Sequence, residues 1–194
     1  MEYNPEIHHR RSIRLKGYDY SQVGAYFVTI CTNNRESFFE NESIKEIAEK
    51  YWKEIPNNFK NIELDEYIIM PNHLHGIIVI KNVGAVHEPP NNRAIHELPL
   101  QSKQQYKIFL PQIIGWFKMN SAKSINKILK REGQPFWQRN YYEHIVRNET
   151  ELNKIREYII NNPLKWELDF ENPERKKEYK NFTDYLNQRI RATD

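Results

Sequence analysis

The sequence predicts an α+β domain in which an antiparallel sheet carries helices packed on it. Short β-branched and aromatic segments alternate with segments of helical periodicity, in the order strand, helix, two strands, helix, strand, helix. The two consecutive strands are separated only by Pro71-Asn72, which favours an antiparallel hairpin. With 194 residues, the chain is long enough for one domain with a sizeable core.

The first half of the chain contains three predicted strands and one helix. Apolar side chains recur at helical spacing over 43–55, and Pro56 follows the last turn. Ser43 is predicted to cap this helix, and Glu46 would complete a capping box. The predicted strands, which are rich in β-branched and aromatic residues, are 24–32, 61–70 and 73–80.

The second half of the chain contains two predicted helices and one further strand. Apolar residues at helical spacing predict a helix within 106–133, which Gly115 weakens and Gly133 stops. Aromatic and β-branched residues within 135–147 indicate the strand. Asn148 can cap the last helix, because acidic residues follow it as they do at helix N-termini.

These elements are assigned to one domain that spans residues 1–168. The polar, Pro- and Asn-rich stretch 82–104 has no periodicity, which indicates a long surface loop and is also compatible with disorder. Residues 169–194 have mixed charge and are predicted to be a C-terminal appendage.

Composition narrows the class of protein. No apolar run approaches the ~20 residues of a membrane span, and the N-terminus lacks the apolar stretch of a secretory signal. Cys31 is the single cysteine, which excludes an internal disulfide and fits a reducing, cytoplasmic setting.

The net charge is only +3, but residues 101–140 contain eight basic residues and one acidic residue. This segment is either a surface that binds a polyanion or a solvated helix face.

Two histidines stand at the start of an apolar strand, in MPNHLHGIIVI (70–80). Because residues two apart on a strand point to the same face, His73 and His75 project together. The strand is apolar on both faces beyond this pair, which predicts a central, buried strand. The two imidazoles are either a hydrogen-bonded pair or two ligands of one divalent metal, which would need a third ligand from elsewhere.

A tyrosine and an asparagine share one face of the last helix, because Tyr158 and Asn162 lie four residues apart. Tyr158 borders the apolar stripe, so it is either a core residue with its hydroxyl at the rim or a nucleophile. If it is a nucleophile, Asn162 could offer an oxygen ligand to the histidine-bound metal.

Two blocks of the sequence, ELDEYIIMPNHLHGIIVI and PFWQRNYYEHIVRNETELNKIREYIINNPLKW, together resemble the REP-associated tyrosine transposases. These belong to the superfamily of single-tyrosine HUH transposases, named after a His-hydrophobic-His motif. The similarity runs from about Arg11 to Leu168. It implies a ferredoxin-like core with the histidines on a central strand and a helix carrying a nucleophilic tyrosine beside them.

The resemblance also implies roles for single residues. His73 and His75 match the metal ligands, and Tyr158 matches the nucleophile. Asn162 falls where related transposases have a glutamine, and its side chain is one methylene shorter. The expected metal is Mg²⁺ or Mn²⁺, because both accept mixed nitrogen and oxygen ligands with open positions.

The implied substrate is single-stranded DNA beside a hairpin-forming palindromic element. Cleavage and rejoining would pass through a 5′-phosphotyrosine, without a small-molecule cofactor or a membrane. The protein would act as a monomer or homodimer in the cytoplasm, associated with the nucleoid. Basic residues would contact phosphates and aromatic residues would stack on bases. The expected DNA contacts are Arg11, Arg14, Lys16, Lys118, Lys123, Lys127, Arg139, Trp116 and Tyr141.

Two other functions fit the same residues. The first is a protein that binds hairpin DNA or RNA without catalysis and retains the fold. The second is a metallohydrolase that uses water, with Tyr158 serving only as a structural residue.

Overall fold

The computed structural model describes residues 19–81 and 110–174, together with Asp184 and Gln188. The expected DNA contacts Arg11, Arg14 and Lys16 and the predicted loop 82–104 lie outside the described residues. Among the described helices, none combines the length and the apolar character that crossing a membrane requires. The elements are β1 (Gly24–Cys31), α1 (Glu42–Lys53), the single-turn α2 (Ile55–Asn58), β2 (Ile62–Met70), β3 (His73–Ile80), α3 (Leu110–Ile128), β4 (Tyr142–Val146), α4 (Glu149–Asn161) and a 3-10 turn (Pro163–Leu168).

The four strands form one antiparallel sheet in the order β2-β3-β1-β4. This order is that of a ferredoxin-like sheet and confirms the predicted α+β class. Pro71 and Asn72 form the predicted turn between β2 and β3. β4 is shorter than the predicted stretch 135–147, where Trp137 instead makes an isolated bridge with Thr32.

Each face of the sheet carries its own core. Helices α1 and α3 pack on one face and α4 packs on the other, so the described residues form three layers. β3 is central and buried on both faces, as predicted. The larger core includes Tyr26, Trp52, Ile78 and Phe117, and the smaller one contains Phe27, Ile77, Ile155, Tyr158 and Ile159.

Two predicted helix ends are wrong. α1 begins one residue earlier than predicted, and its cap is Asn41, whose side-chain oxygen accepts the backbone N–H of Ser43 at 3.1 Å. α3 ends at Ile128 because Lys130 adopts a left-handed conformation, with φ of 51°. Gly133 therefore lies beyond the end of the helix rather than stopping it.

Helix α4 has a local N-terminal cap and a bidentate contact with the sheet. Asn148 caps it as predicted, because its side-chain oxygen accepts the backbone N–H of Glu151 at 2.8 Å. Arg156 donates two hydrogen bonds to the carboxylate of Asp65 on β2, at 2.9 and 2.6 Å. Such a bidentate pair fixes geometry as well as adding stability, so it holds the helix in one orientation against the sheet.

The packed part of the chain continues beyond the predicted domain end at residue 168. Asp169, Glu171 and Asn172 are buried, and Glu171 forms an ion pair with Arg35 at 2.6 Å. We therefore propose that the domain extends at least through Asn172, rather than leaving these residues to an appendage.

The contact between β3 and α1 predicts that Gly76→Ala destabilises the protein. A Cβ at Gly76 would lie 2.4 Å from Cζ2 of Trp52. The Trp52 ring is fully buried and packs against Phe117, so it has little room to move. Overpacking of this kind costs about 1–3 kcal/mol, and the midpoint of thermal unfolding followed by circular dichroism should fall.

The matched control for this prediction is Gly115→Ala on α3. A Cβ at Gly115 would meet nothing within 4 Å. Because alanine is a better helix former than glycine by about 1 kcal/mol, this variant should be as stable as the wild type or more stable. An unchanged unfolding midpoint for Gly76→Ala would contradict the tight packing.

Candidate active site

The two histidines of β3 lie together on the face that α4 covers. The alternation of side chains along the strand puts both rings on this side, and both are fully buried. His73 Nδ1 lies 2.8 Å from Oδ1 of Asn72, and His75 Nδ1 lies 2.8 Å from Oγ1 of Thr29. With each Nδ1 engaged by a neighbour, the two Nε2 atoms face each other at 2.9 Å.

The protonation of His73 follows from its neighbour Asn72. The Asn72 amide nitrogen donates to the backbone oxygens of Glu171, at 2.9 Å, and Arg35, at 3.3 Å, so its side-chain oxygen is the acceptor for the imidazole. His73 therefore carries its proton on Nδ1 and presents the lone pair of Nε2. Burial, and then the charge of neighbouring His75, lower the pKa of His73 to about 3. The ring is thus neutral at physiological pH, which is the form that binds metals.

Tyr158 of α4 reaches the same point. Its hydroxyl lies 2.9 Å from Nε2 of His75 and donates to Oδ2 of Asp169 at 3.3 Å. The ring packs edge-on against Phe27, and only 5% of the residue is exposed. The sequence left open whether Tyr158 is a core residue or a reactive one, and the structure places it in the core with its hydroxyl at the histidines.

Asn162 lies one helical turn after Tyr158, at the C-terminal end of α4. The residue is buried, and its amide nitrogen donates to Oδ2 of Asp169 at 2.9 Å. Its side-chain oxygen is also buried and has no hydrogen-bond partner among the described residues. An orphaned buried oxygen of this kind is compatible with the expected role as a metal ligand.

Asp169 was missed by the sequence analysis. Its carboxylate oxygens lie 3.9 Å from Nε2 of His73 and 3.7 Å from Nε2 of His75. Within the described part of the chain, these three residues form the one group of histidine, cysteine and acidic side chains that could hold a metal ion. The segment around Asp169 has neither a motif nor a period, so the one available signal was that two histidines need a third ligand.

The ionisation of Asp169 suits a cation site. Burial raises its pKa, but the two imidazoles and a hydrogen bond from the backbone N–H of Glu171, at 2.7 Å, lower it further than burial raises it. The net effect holds the pKa well below its usual range. Asp169 is therefore a carboxylate at neutral pH, although it is fully buried.

Several of the expected DNA contacts lie away from this site. Helix α3 packs on the opposite face of the sheet, so Lys123 and Lys127 are exposed on the other outer layer. Arg139 is exposed in the segment before β4. Trp116 is half-buried against Tyr51 and Phe59 in the larger core, with ring centroids 6.2 and 5.9 Å away.

The ammonium group of Lys118 is held by backbone oxygens of a neighbouring segment. It donates to the backbone oxygens of Gln138 and Asn140 at 3.0 Å and of Arg139 at 3.4 Å. It also lies 5.3 Å from the ring centroid of half-buried Tyr141. Burial lowers its pKa to about 8. Lys118 therefore anchors the segment that carries Arg139.

Comparisons with known proteins show what this chain is similar to. The family model described as "Transposase IS200 like" matches residues 98–162, which include Tyr158 and Asn162 but not the histidines. A Haemophilus influenzae protein named only "Uncharacterized protein" is 39% identical over 182 residues, covering 87% of this chain and 96% of that protein. A second protein of that organism, a "Putative REP-associated tyrosine transposase", is 28% identical over 147 residues, covering 76% and 74%.

A solved structure extends the likeness to the fold. The REP-associated tyrosine transposase bound to a REP hairpin aligns with a TM-score of 0.55 over 80% of this chain and 74% of that one. At 17% identity this match supports the fold alone. The chain therefore contains an IS200-like transposase segment and is homologous to a putative REP-associated tyrosine transposase.

Proposed function

We propose that this protein cleaves and rejoins single-stranded DNA beside hairpin-forming palindromic elements, through a phosphotyrosine at Tyr158. The observation that carries the proposal is the distance of 2.9 Å between the Tyr158 hydroxyl and Nε2 of His75 in the same chain. A buried tyrosine that served packing alone would not need two imidazoles and a carboxylate around its hydroxyl. The hairpin bound in the related solved structure supports the class of substrate.

The proposed reaction is a transesterification at phosphorus. The Tyr158 oxygen forms a new P–O bond while the bond from phosphorus to the 3′ oxygen of the leaving strand breaks. The proton that the phenol loses is balanced by the proton that the 3′ oxygen gains. The products are a 5′-phosphotyrosine and a free 3′ hydroxyl, which can later attack the same linkage and restore the strand.

A divalent metal fits the residues around Tyr158. The two Nε2 atoms lie 2.9 Å apart, close enough to bind one ion. His73 and His75 would hold the ion, and the orphaned oxygen of Asn162 is a further candidate. A bound Mg²⁺ or Mn²⁺ would polarise a phosphate oxygen and orient the scissile group. The protein supplies the fixed imidazoles and the position of the phenol.

DNA binding is proposed to use surfaces apart from the buried donors. Lys123, Lys127 and Arg139 keep exposed cationic groups that can contact phosphates. Trp116 and Tyr141 are half-buried, so each can offer only part of a ring for stacking on an unpaired base. Of the three cations, Arg139 precedes β4. The first residue of β4 pairs with Thr29 of β1, and Thr29 pairs in turn with His75 of β3.

Tyr158→Phe should abolish the covalent adduct, because it removes the attacking oxygen and keeps the ring that packs on Phe27. The measurement uses hairpin single strands labelled at the 5′ or the 3′ end, with Mg²⁺ or Mn²⁺, followed by denaturing electrophoresis. The matched control is Tyr142→Phe, which removes a neighbouring hydroxyl on the same face and should keep the adduct. Cleavage that needs no adduct and survives in Tyr158→Phe would indicate a water-using metallohydrolase instead.

His73→Ala should separate cleavage from binding. The side chain is fully buried and one of its nitrogens faces the proposed metal, so metal-dependent cleavage should fall by at least about 100-fold. Hairpin affinity measured by gel shift at low and high salt should stay close to that of the wild type. The control is His144→Ala, which loses a contact with Glu151 outside the donor group and should still cleave. A loss of hairpin affinity in His73→Ala at high salt as large as its loss of cleavage would contradict the separation. Binding without cleavage by the wild type would indicate a non-catalytic binding protein.

A further inference from the structure

Asp169 is a buried carboxylate that the proposed reaction does not use. Asp169 directly follows the 3-10 turn Pro163–Leu168, so it comes from the segment after the tyrosine helix and not from the helix itself. It is fully buried. A buried carboxylate is costly unless charges, hydrogen bonds or a metal ion compensate it.

The carboxylate faces the two histidine nitrogens without bonding to them directly. The separations of 3.9 Å to His73 and 3.7 Å to His75 exceed hydrogen-bond length. One ligand atom from each of the three residues nevertheless lies within 4.8 Å of the others. The three side chains are therefore close enough together to bind one ion.

The orientation of the carboxylate is set by hydrogen-bond donors from its own segment and from α4. The backbone N–H of Glu171 donates to Oδ1 at 2.7 Å, and the amide nitrogen of Asn162 donates to Oδ2 at 2.9 Å. Hydrogen bonds of this kind orient metal-ligating carboxylates in proteins. The Tyr158 hydroxyl also donates to Oδ2, at 3.3 Å, so the carboxylate is held beside the two histidines.

The segment that carries Asp169 is connected to the histidines through one side chain. Asn72 accepts a hydrogen bond from His73 through its oxygen, and its nitrogen donates to the backbone oxygen of Glu171. The ion pair between Arg35 and Glu171 is a second contact that holds the same segment. One imidazole and the carboxylate are thus positioned by a shared set of contacts.

We infer that Asp169 is a protein ligand of the divalent metal, together with His73 and His75. The resemblance to the transposase family implied a ligand at Asn162, whereas here the amide nitrogen of Asn162 supports the carboxylate. A carboxylate oxygen is a hard ligand that suits Mg²⁺ or Mn²⁺, and its charge offsets part of the charge of the ion. This inference rests on the proposed metal-dependent function.

The first test measures Mn²⁺ binding without DNA, by the loss of the electron paramagnetic resonance signal of the free aqua ion. Asp169→Asn keeps the shape of the side chain and removes its charge, and its Mn²⁺ affinity should fall by at least about 10-fold, as that of His73→Ala should. The matched control is Glu174→Gln, which neutralises an exposed carboxylate of the same segment and should bind Mn²⁺ like the wild type. Thermal unfolding of each metal-free variant identifies any loss of fold.

The outcomes distinguish this inference from the proposed function. If His73→Ala loses Mn²⁺ and folded Asp169→Asn binds it like the wild type, the role of Asp169 is overturned and the proposed function stands. If the wild type binds no Mn²⁺, the metal site itself is overturned and the metal-dependent function with it.

A second variant tests direct contact and does not depend on the stability of Asp169→Asn. Asp169→Cys should give a thiolate-to-metal charge-transfer band on addition of Co²⁺, because a coordinated thiol is deprotonated. The wild type titrated in the same way gives the contribution of Cys31, the native thiol. A folded Asp169→Cys protein that binds Co²⁺ without an additional band would show that residue 169 does not contact the metal.

Discussion

The antiparallel pairing of β3 with β1 is the constraint on which the rest of the site depends. It puts Thr29 opposite His75, and Oγ1 of Thr29 lies 2.8 Å from Nδ1 of the imidazole ring. Because side chains alternate between the two faces along β3, Gly76 faces Trp52 while the histidines face α4. A register shift of one residue would turn both imidazoles into the larger apolar core. The tight contact of Gly76 with Trp52 therefore helps to maintain the register that places the histidines on the opposite face.

Asn72 extends this constraint from the sheet to the segment after α4. As the second residue of the hairpin turn it adjoins His73, and its two polar atoms bond to that ring and to the backbone of Glu171. The segment 163–172 consequently covers the histidines, with Trp166 stacked near His73.

Under the proposed function, the two faces of the sheet have different roles. Packing of α4 places the phenol and the histidines on one face, while the exposed lysines of α3 lie on the other. Charges that recruit a polyanion act over about 8–10 Å at physiological salt, so they need not touch the reacting phosphate. The atoms that do the chemistry must lie within bonding distance, and they are the buried ones.

Local patterns in the sequence determined much of this protein. Strand and helix periods, the Pro71-Asn72 turn and the Asn148 cap act over a few residues, and these predictions match the structure. The two-residue spacing of His73 and His75 also determined that they share a face. Only the tertiary structure decided that Tyr158 meets them within one chain, that α3 lies on the other face, and that Asp169 belongs to the site. Such contacts depend on how helices and loops pack across the sheet, and no short-range pattern records that packing.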